Sequence, residues 1–177
     1  MITEAERQLG MPHVREAWRE WPSRRRGPAP VDLSDVVDEV LLIAAPLARD
    51  GMRFSVTLAM ETLPVEMDYK LLAHVVFDLM RFVEAHALNS GGGHWRTVKV
   101  STYRKRGPYC REGVMELRAV GRTCNDGAVE DGEAMHEATF RAIADLVERR
   151  GGCVEFRRDA EWGTSGIRVM LGLPLQE

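Results

Sequence analysis

Apolar residues recur along the chain with two different spacings, and each spacing predicts one kind of secondary structure. Four segments place apolar side chains three and four positions apart, as on one face of a helix; they lie at about residues 3–21, 34–50, 69–87 and 133–150. Five other segments alternate apolar with polar residues, which is typical of half-buried strands; they lie at 53–60, 97–104, 114–120, 153–158 and 166–173. Most of the chain therefore belongs to predicted helices and strands.

Residues that favour helix ends support these limits. Ser34 and Asp68 are suitable N-caps for the second and third helices, and Gly151 favours the end of the fourth helix. Pro46 is expected to kink or break the second helix. Strands that mostly follow one another, with helices interspersed, predict an α+β fold. Its expected form is a two-layer α/β sandwich, in which helices cover one face of a mixed, mostly antiparallel sheet.

The composition excludes several classes of protein. The chain has 177 residues, 45% of them hydrophobic and 29% charged, which fits one soluble domain with a full core. A net charge of −3 gives no general nucleic-acid-binding character. No apolar run approaches the roughly 18–20 residues of a membrane span, and the first residues lack the apolar stretch of a signal peptide. The three cysteines have no Cys-x-x-Cys spacing. We therefore expect a cytoplasmic protein without a cysteine-based metal site.

The pattern predicts three parts: an N-terminal amphipathic helix (1–22), a linker rich in proline and arginine (23–30) and one domain (31–177). The helix has an apolar stripe formed by Leu9, Val14, Trp18 and Trp21. Because tryptophan is enriched at the centres of interfaces, this stripe predicts partner binding or a homodimer. The alternative is that the helix covers a face of its own domain. Three consecutive arginines in the linker are better explained by solvation than by nucleic-acid binding.

Several motifs of the domain occur in the order found in one known family. Val31–Val37 resembles the start of the ATP-binding domain of sensor histidine kinases, and Met67–Ala85 resembles the asparagine-bearing helix of that domain. Leu146–Phe156 is similar to its last helix and following turn, and Gly163–Leu175 is similar to its final strand with the Leu-Pro ending. The resemblance extends to the related domains of type II topoisomerases, Hsp90 and MutL. It implies a Bergerat (GHKL) ATPase-like fold.

The same resemblance assigns positions of a nucleotide site to the third helix. The family uses an asparagine there to ligate the Mg²⁺ of ATP, and the aligned residue is Phe82, which offers no oxygen to a hard cation. One turn earlier, where the family has asparagine or a water-activating glutamate, the chain has Asp78. Asp78 is interpreted either as a remaining base or ligand or as an ordinary surface residue. We expect Phe82 and neighbouring apolar residues to fill the former nucleotide cleft.

Two further positions of the nucleotide site also depart from the family. The aspartate that recognises adenine has its nearest counterpart in Asp126-Gly127, which lies several residues late and is equally well explained as a turn. The glycines that let the backbone approach the phosphates fall on Glu137 and Thr139. Glu137 would place a negative charge beside the triphosphate. The loss of three separate parts of the site predicts that Mg²⁺–ATP does not bind appreciably.

These observations favour a non-catalytic, degenerate histidine-kinase-like ATPase domain that acts as a regulatory or protein-binding module in bacterial-type signal transduction. The expected partner is a response regulator or another signalling protein; no cofactor, metal or membrane is expected. One alternative is an active ATP-dependent kinase of the two-component or anti-sigma type, which would use ATP–Mg²⁺. Another is a histidine phosphotransfer protein with a degenerate ATPase domain. His13 is its candidate phosphoacceptor, although one helix is too little for the dimeric hairpin of such proteins.

Overall fold

The computed structural model describes residues 30–48, 52–89, 97–107, 111–122, 133–161 and 164–176. The three described helices are α1 (Leu33–Ala44), α2 (Tyr69–Asn89) and α3 (Glu133–Glu148). The strands are β1 (Val31–Asp32), β2 (Arg53–Thr57), β3 (Pro64–Val65), β4 (Thr97–Arg106), β5 (Arg111–Arg122), β6 (Cys153–Glu161) and β7 (Thr164–Pro174). The predicted N-terminal helix and linker lie outside the described residues, apart from Pro30.

The main sheet has five strands in the order β2-β4-β5-β7-β6. The β2–β4 pair is parallel, and the other three pairs are antiparallel. Strands β1 and β3 form a separate antiparallel pair of two residues each, which the sequence analysis did not predict. The fold is therefore the predicted α+β sandwich with a mixed, mostly antiparallel sheet.

The hydrophobic core lies between the helices and one face of the sheet. Alternate strand residues point toward the helices and are almost fully buried, as at Val100, Leu117 and Val169. The intervening positions, such as Lys99, point to the opposite face. Helix α2 supplies the longest buried stripe because apolar residues recur along it at helical spacing. This stripe fixes which side of α2 faces the sheet.

The N-cap of helix α1 lies two residues earlier than predicted. The N-cap is Asp32, whose carboxylate accepts a hydrogen bond from the Ser34 backbone N–H at 2.8 Å. Ser34 itself is buried, and its hydroxyl lies 2.8 Å from the hydroxyl of Thr102 on β4. The helix ends at Ala44, so its predicted end near residue 50 is wrong. Of the two outcomes expected at Pro46, a kink or a break, the structure has the break.

The ends of the other helices agree with the sequence analysis. Asp68 accepts a hydrogen bond from the backbone N–H of Leu71 at 3.1 Å, as an N-cap does. After α3, Gly151 adopts φ +75°, the left-handed conformation that glycine tolerates best. The apolar spacing predicts that α3 buries Ala138, Ala142, Ile143, Leu146 and Val147. This prediction is partly wrong, since Ala138 and Ala142 are exposed. None of the described helices is long and apolar enough to cross a membrane.

Candidate functional site

The position that the resemblance assigns to a magnesium ligand is part of the core. Phe82 lies in the second half of α2, on the side that faces α3 and the sheet, and its exposed fraction is 5%. Its ring centroid is 5.0 Å from that of Phe140 on α3 and 5.3 Å from that of Phe156 on β6. The burial expected for Phe82 is therefore observed.

These side chains form a continuous group that we call the Phe82 cluster; its members are Phe82, His86, Phe140 and Phe156. The imidazole of His86 lies 4.1 Å from the Phe82 ring and 5.5 Å from the Phe156 ring. The rings of Phe140 and Phe156 are 6.0 Å apart. The separations of 5.0–6.0 Å among the three phenyl rings are typical of favourable aromatic pairs. The cluster therefore ties α2, α3 and the edge strand β6 together.

The cluster has a polar border. One His86 ring nitrogen, Nδ1, lies 3.0 Å from the backbone carbonyl oxygen of Phe82, so it can donate a hydrogen bond within the helix. The guanidinium of Arg158 lies 5.9 Å from the centroid of the Phe156 ring, within the range of a cation–π contact. Neither contact provides an oxygen directed toward the centre of the cluster.

Asp78 lies one turn before Phe82 on α2 and is half-buried. Four residues apart on a helix, the two side chains project from the same side. The neighbouring His74 directs Nδ1 to the backbone carbonyl oxygen of Lys70 at 2.7 Å. The buried Glu84, further along α2, pairs with Arg81. The acidic groups of this helix thus differ strongly in exposure.

Glu137 lies in the first half of α3 and is exposed. Its carboxylate contacts the Arg141 guanidinium at 2.6 Å, one turn further along the helix. Thr139, two residues after Glu137, is half-buried. Of the predicted site residues, Asp78, Phe82, Glu137 and Thr139 therefore lie on α2 and α3. Asp126, Gly127 and the predicted partner-binding residues lie outside the described part of the chain; the latter are Leu9, Val14, Trp18 and Trp21.

At the position of Phe82, the side chain offers no ligand to the magnesium ion of the Mg²⁺–ATP that the fold family implies. A magnesium ion needs oxygen ligands, whereas the centre of the Phe82 cluster is aromatic and buried. Within the described ranges, no group of three or more His, Cys, Asp or Glu side chains could hold a metal ion.

Sequence reasoning missed the partners of Phe82. Phe140 was not assigned to the buried face of α3, although it is half-buried. It precedes the buried Ile143 by three residues and Val147 by seven, so the helical spacing could have identified it. Phe156 alternates with Val154 on β6, which places both on the helix side of the sheet. Contact among the aromatic residues could not be inferred without the fold.

Titratable groups also lie on the sheet face opposite the helices. Burial, and then the charge of Glu116, raise the pKa of the Tyr103 phenol. The two side chains are joined by a hydrogen bond of 3.3 Å, which the phenol donates. Burial is also the main reason why the pKa of the Cys153 thiol is raised, followed by the charges of Glu112 and Glu155. Cys153 is thus held as a thiol at neutral pH, which makes it a poor nucleophile.

Comparison with solved structures identifies the fold. The ATP-binding domain of PrrB from Mycobacterium tuberculosis is 19% identical, with a TM-score of 0.54, over 84% of this chain and 98% of that domain. The mycobacterial sensor histidine kinase MprB is 18% identical, with a TM-score of 0.52, over 85% of this chain and 100% of the MprB chain. The histidine kinase domain of the Escherichia coli osmosensor EnvZ is 16% identical, with a TM-score of 0.54, over 88% of this chain and 93% of the EnvZ domain.

Neither the protein-family models nor the curated proteins include a match to this sequence. The structural similarity covers most of this chain and nearly all of each of the three domains. The chain therefore has the fold of the ATP-binding domains of sensor histidine kinases. At identities below 20% the similarity describes the fold, and the function has to be argued from the site.

Proposed function

We propose that this protein is a non-catalytic relative of the histidine-kinase ATP-binding domain, and that it acts as a protein-binding module in signal transduction. The observation that carries the proposal is the Phe82 cluster. A phenyl ring at the position that the family uses for a magnesium ligand is buried against two further rings and an imidazole. The residue therefore contributes to folding where the family residue contributes to ligand binding.

The affinity for Mg²⁺–ATP is expected to be low. Loss of an oxygen ligand leaves the cation with an unmade bond, and a carboxylate near the phosphates adds repulsion. Each change costs on the order of 1–3 kcal/mol. A combined loss of about 4 kcal/mol would convert a micromolar dissociation constant to a millimolar one. At that affinity, ATP would contribute little to the function of the protein.

The packing around Phe82 opposes the opening of a nucleotide cleft at this position. Opening a cavity between α2 and α3 would expose the rings of the Phe82 cluster, and burial of one such ring is worth roughly 1.5–3 kcal/mol. Glu137 is already paired with Arg141 on the exposed side of α3. What such a domain retains is a sandwich with a broad sheet face that none of the described helices covers, which suits a binding role. The partner that we propose is a signalling protein, such as a response regulator.

Phosphoryl transfer tests the proposal against the active-kinase alternative. The full chain is incubated with radiolabelled ATP and Mg²⁺, and both released phosphate and protein-bound label are measured. We expect both to remain at the level of a blank without protein. Label on the protein, or phosphate release above the blank, would support the kinase alternative.

A variant with the family residue restored is the matched control. Phe82→Asn returns the ligand type but leaves the remainder of the site as it is. We expect this variant to be less stable than the original chain and to gain no activity, because the departures at α3 remain. If Phe82→Asn gained ATP hydrolysis, the rest of the nucleotide site would have to be intact.

A further inference from the structure

The sheet face opposite the helices carries a row of four basic residues, one from each of four adjacent strands. Lys99 on β4 lies opposite Arg118 on β5, and Arg118 lies opposite Arg168 on β7. Arg168 in turn lies opposite Arg157 on β6. Residues at directly paired positions share one face of the sheet. We call this row, Lys99–Arg118–Arg168–Arg157, the basic ladder.

The basic ladder is unfavourable for the fold itself. Like charges at directly opposite positions destabilise a strand pair, and the row contains three such pairs. Carboxylates partly offset the charge at two of its members, since Arg168 lies 3.3 Å from Glu116 and Arg157 lies 2.8 Å from Glu155. The net charge of the whole chain is −3, so the ladder does not reflect a general excess of basic residues.

The Lys99 end of the ladder borders a shallow depression between β2, β4 and β5. Its volume is about 290 Å³, and its polar lining consists of Lys99, Arg118, the carboxylate of Glu116 and the hydroxyl groups of Ser55, Thr57 and Ser101. The Nε of Arg118 is buried and has no hydrogen-bond partner among the described residues. The Glu116 carboxylate is already engaged by Arg168 and by the Tyr103 hydroxyl, each at 3.3 Å. The two remaining cations and three hydroxyl groups suit an oxyanion such as a carboxylate.

We propose that the basic ladder binds the acidic stripe of an α-helix presented by a partner protein. This inference rests on the proposed role of the domain as a protein-binding module. Neighbouring strands lie about 4.8 Å apart, and helix residues three or four positions apart advance by about 4.5–6 Å. A helix lying across the strands therefore brings successive carboxylates opposite successive members of the ladder. One of them fits the depression between Lys99 and Arg118.

The charges beside the ladder favour a helix over a nucleic acid. Glu116 and Glu155 lie in one row, because both pair with Met170, and this row is two residues along the strands from the ladder. Two residues correspond to about 7 Å. A broad polyanion would meet these carboxylates, whereas a narrow acidic stripe on a helix with basic flanks complements both rows. The two glutamates therefore select the narrower partner.

Binding of defined peptides to the full chain tests the proposal. The probe is a labelled, alanine-based helical peptide of about 20 residues, with glutamates three and four positions apart on one face. The matched peptide has glutamine at those positions. Fluorescence anisotropy is measured at low and at physiological salt, and a single-stranded oligonucleotide is the competing probe. We expect the glutamate peptide to bind more tightly than both other probes, and to bind more weakly at the higher salt.

Matched variants locate the binding. Lys99→Gln/Arg118→Gln neutralises the open end of the ladder, whereas Lys70→Gln/Arg149→Gln removes the same charge from exposed positions on α2 and after α3. We expect the ladder variant to bind the glutamate peptide about tenfold more weakly, and the control variant to bind within about twofold of the original chain. Lys99→Gln alone, at an exposed position, gives a smaller loss in the same direction and serves if the double variant does not fold.

Three results would overturn the proposal: equal binding of the two peptides, equal losses in the ladder and control variants, or tighter binding of the oligonucleotide. The melting temperature of the ladder variant should stay the same or rise, because like-charge repulsion is removed. The test is also separate from that of the proposed function. ATP turnover would contradict the non-catalytic role without affecting the peptide result, and loss of peptide binding would leave the ATP result unchanged.

Discussion

Truncation of Phe82 tests whether this residue stabilises the fold. Phe82→Ala removes a ring that is 5% exposed and lies within 5.3 Å of three other rings, measured between centroids. A buried phenylalanine replaced by alanine typically costs about 3–5 kcal/mol, since both burial and packing are lost. The lost aromatic pairs account for about 0.5–1.5 kcal/mol each beyond burial. We therefore expect the free energy of unfolding to fall by about 3–5 kcal/mol.

The change is measured by urea denaturation, followed by circular dichroism and linear extrapolation to water. For a chain of this size, each kcal/mol lowers the melting temperature by about 2–4 °C, so the expected decrease is about 6–20 °C. Leu42→Ala is the matched control, because Leu42 is an apolar helix residue that is 72% exposed. That substitution should change the stability by less than about 0.5 kcal/mol.

Coupling between the rings gives a second readout. If Phe82 and Phe156 stabilise each other, the loss in the double alanine variant should differ from the sum of the single losses by about 0.5–3 kcal/mol. A loss below about 1 kcal/mol for Phe82→Ala, or strictly additive losses, would show that the Phe82 cluster is not a stabilising unit. Phe82 would then not be a packing residue at the position of a ligand.

Three further substitutions test other parts of the structure. Thr102→Val should cost about 1–3 kcal/mol by chemical denaturation, because a buried hydroxyl that bonds both a side chain and a backbone N–H is lost. Gly152→Ala should lower the melting temperature more than Gly151→Ala, because a Cβ at residue 152 would lie 2.5 Å from the backbone oxygen of Gly172. Glu116→Gln should lower the raised pKa of the Tyr103 phenol. The titration is followed by the ultraviolet absorbance of tyrosinate, and Tyr103→Phe identifies the contribution of this residue. Since the folded state holds this proton more tightly, stability due to Tyr103 is full below pH 10 and is lost as the pH rises through the folded-state pKa.

The sequence predicted the main strands and described helices because each carries a repeated apolar spacing. It did not predict β1 and β3, because each strand has only two residues and is too short to show an alternation of apolar and polar positions. The prediction of Ser34 as the N-cap was wrong, because Asp32 and Ser34, two positions apart, are both suitable cap residues and the residue type does not separate them. The choice is decided by Thr102, which is distant in sequence and takes up the Ser34 hydroxyl. Such a contact exists only once the sheet has formed.

The candidate site was predicted less completely than the fold. Aligned positions identified Phe82, but alanines on α3 were assigned to the buried face because alanine suits both core and surface. The actual face is formed by Phe140, Ile143 and Val147. The basic ladder could not be predicted either, because a row across four strands depends on their register. One step in register would move a basic residue to the other face of its strand.

The central claim is that the site does not bind nucleotide, and isothermal titration calorimetry of the full chain with ATP and Mg²⁺ tests it most directly. The titration is repeated with the ATP-binding domain of PrrB, whose fold this chain shares, as a reference at the same concentrations. The account predicts no saturable heat for this chain up to about millimolar ATP. Saturable binding with a micromolar dissociation constant would contradict it, and the Phe82 cluster would then have to open for the nucleotide.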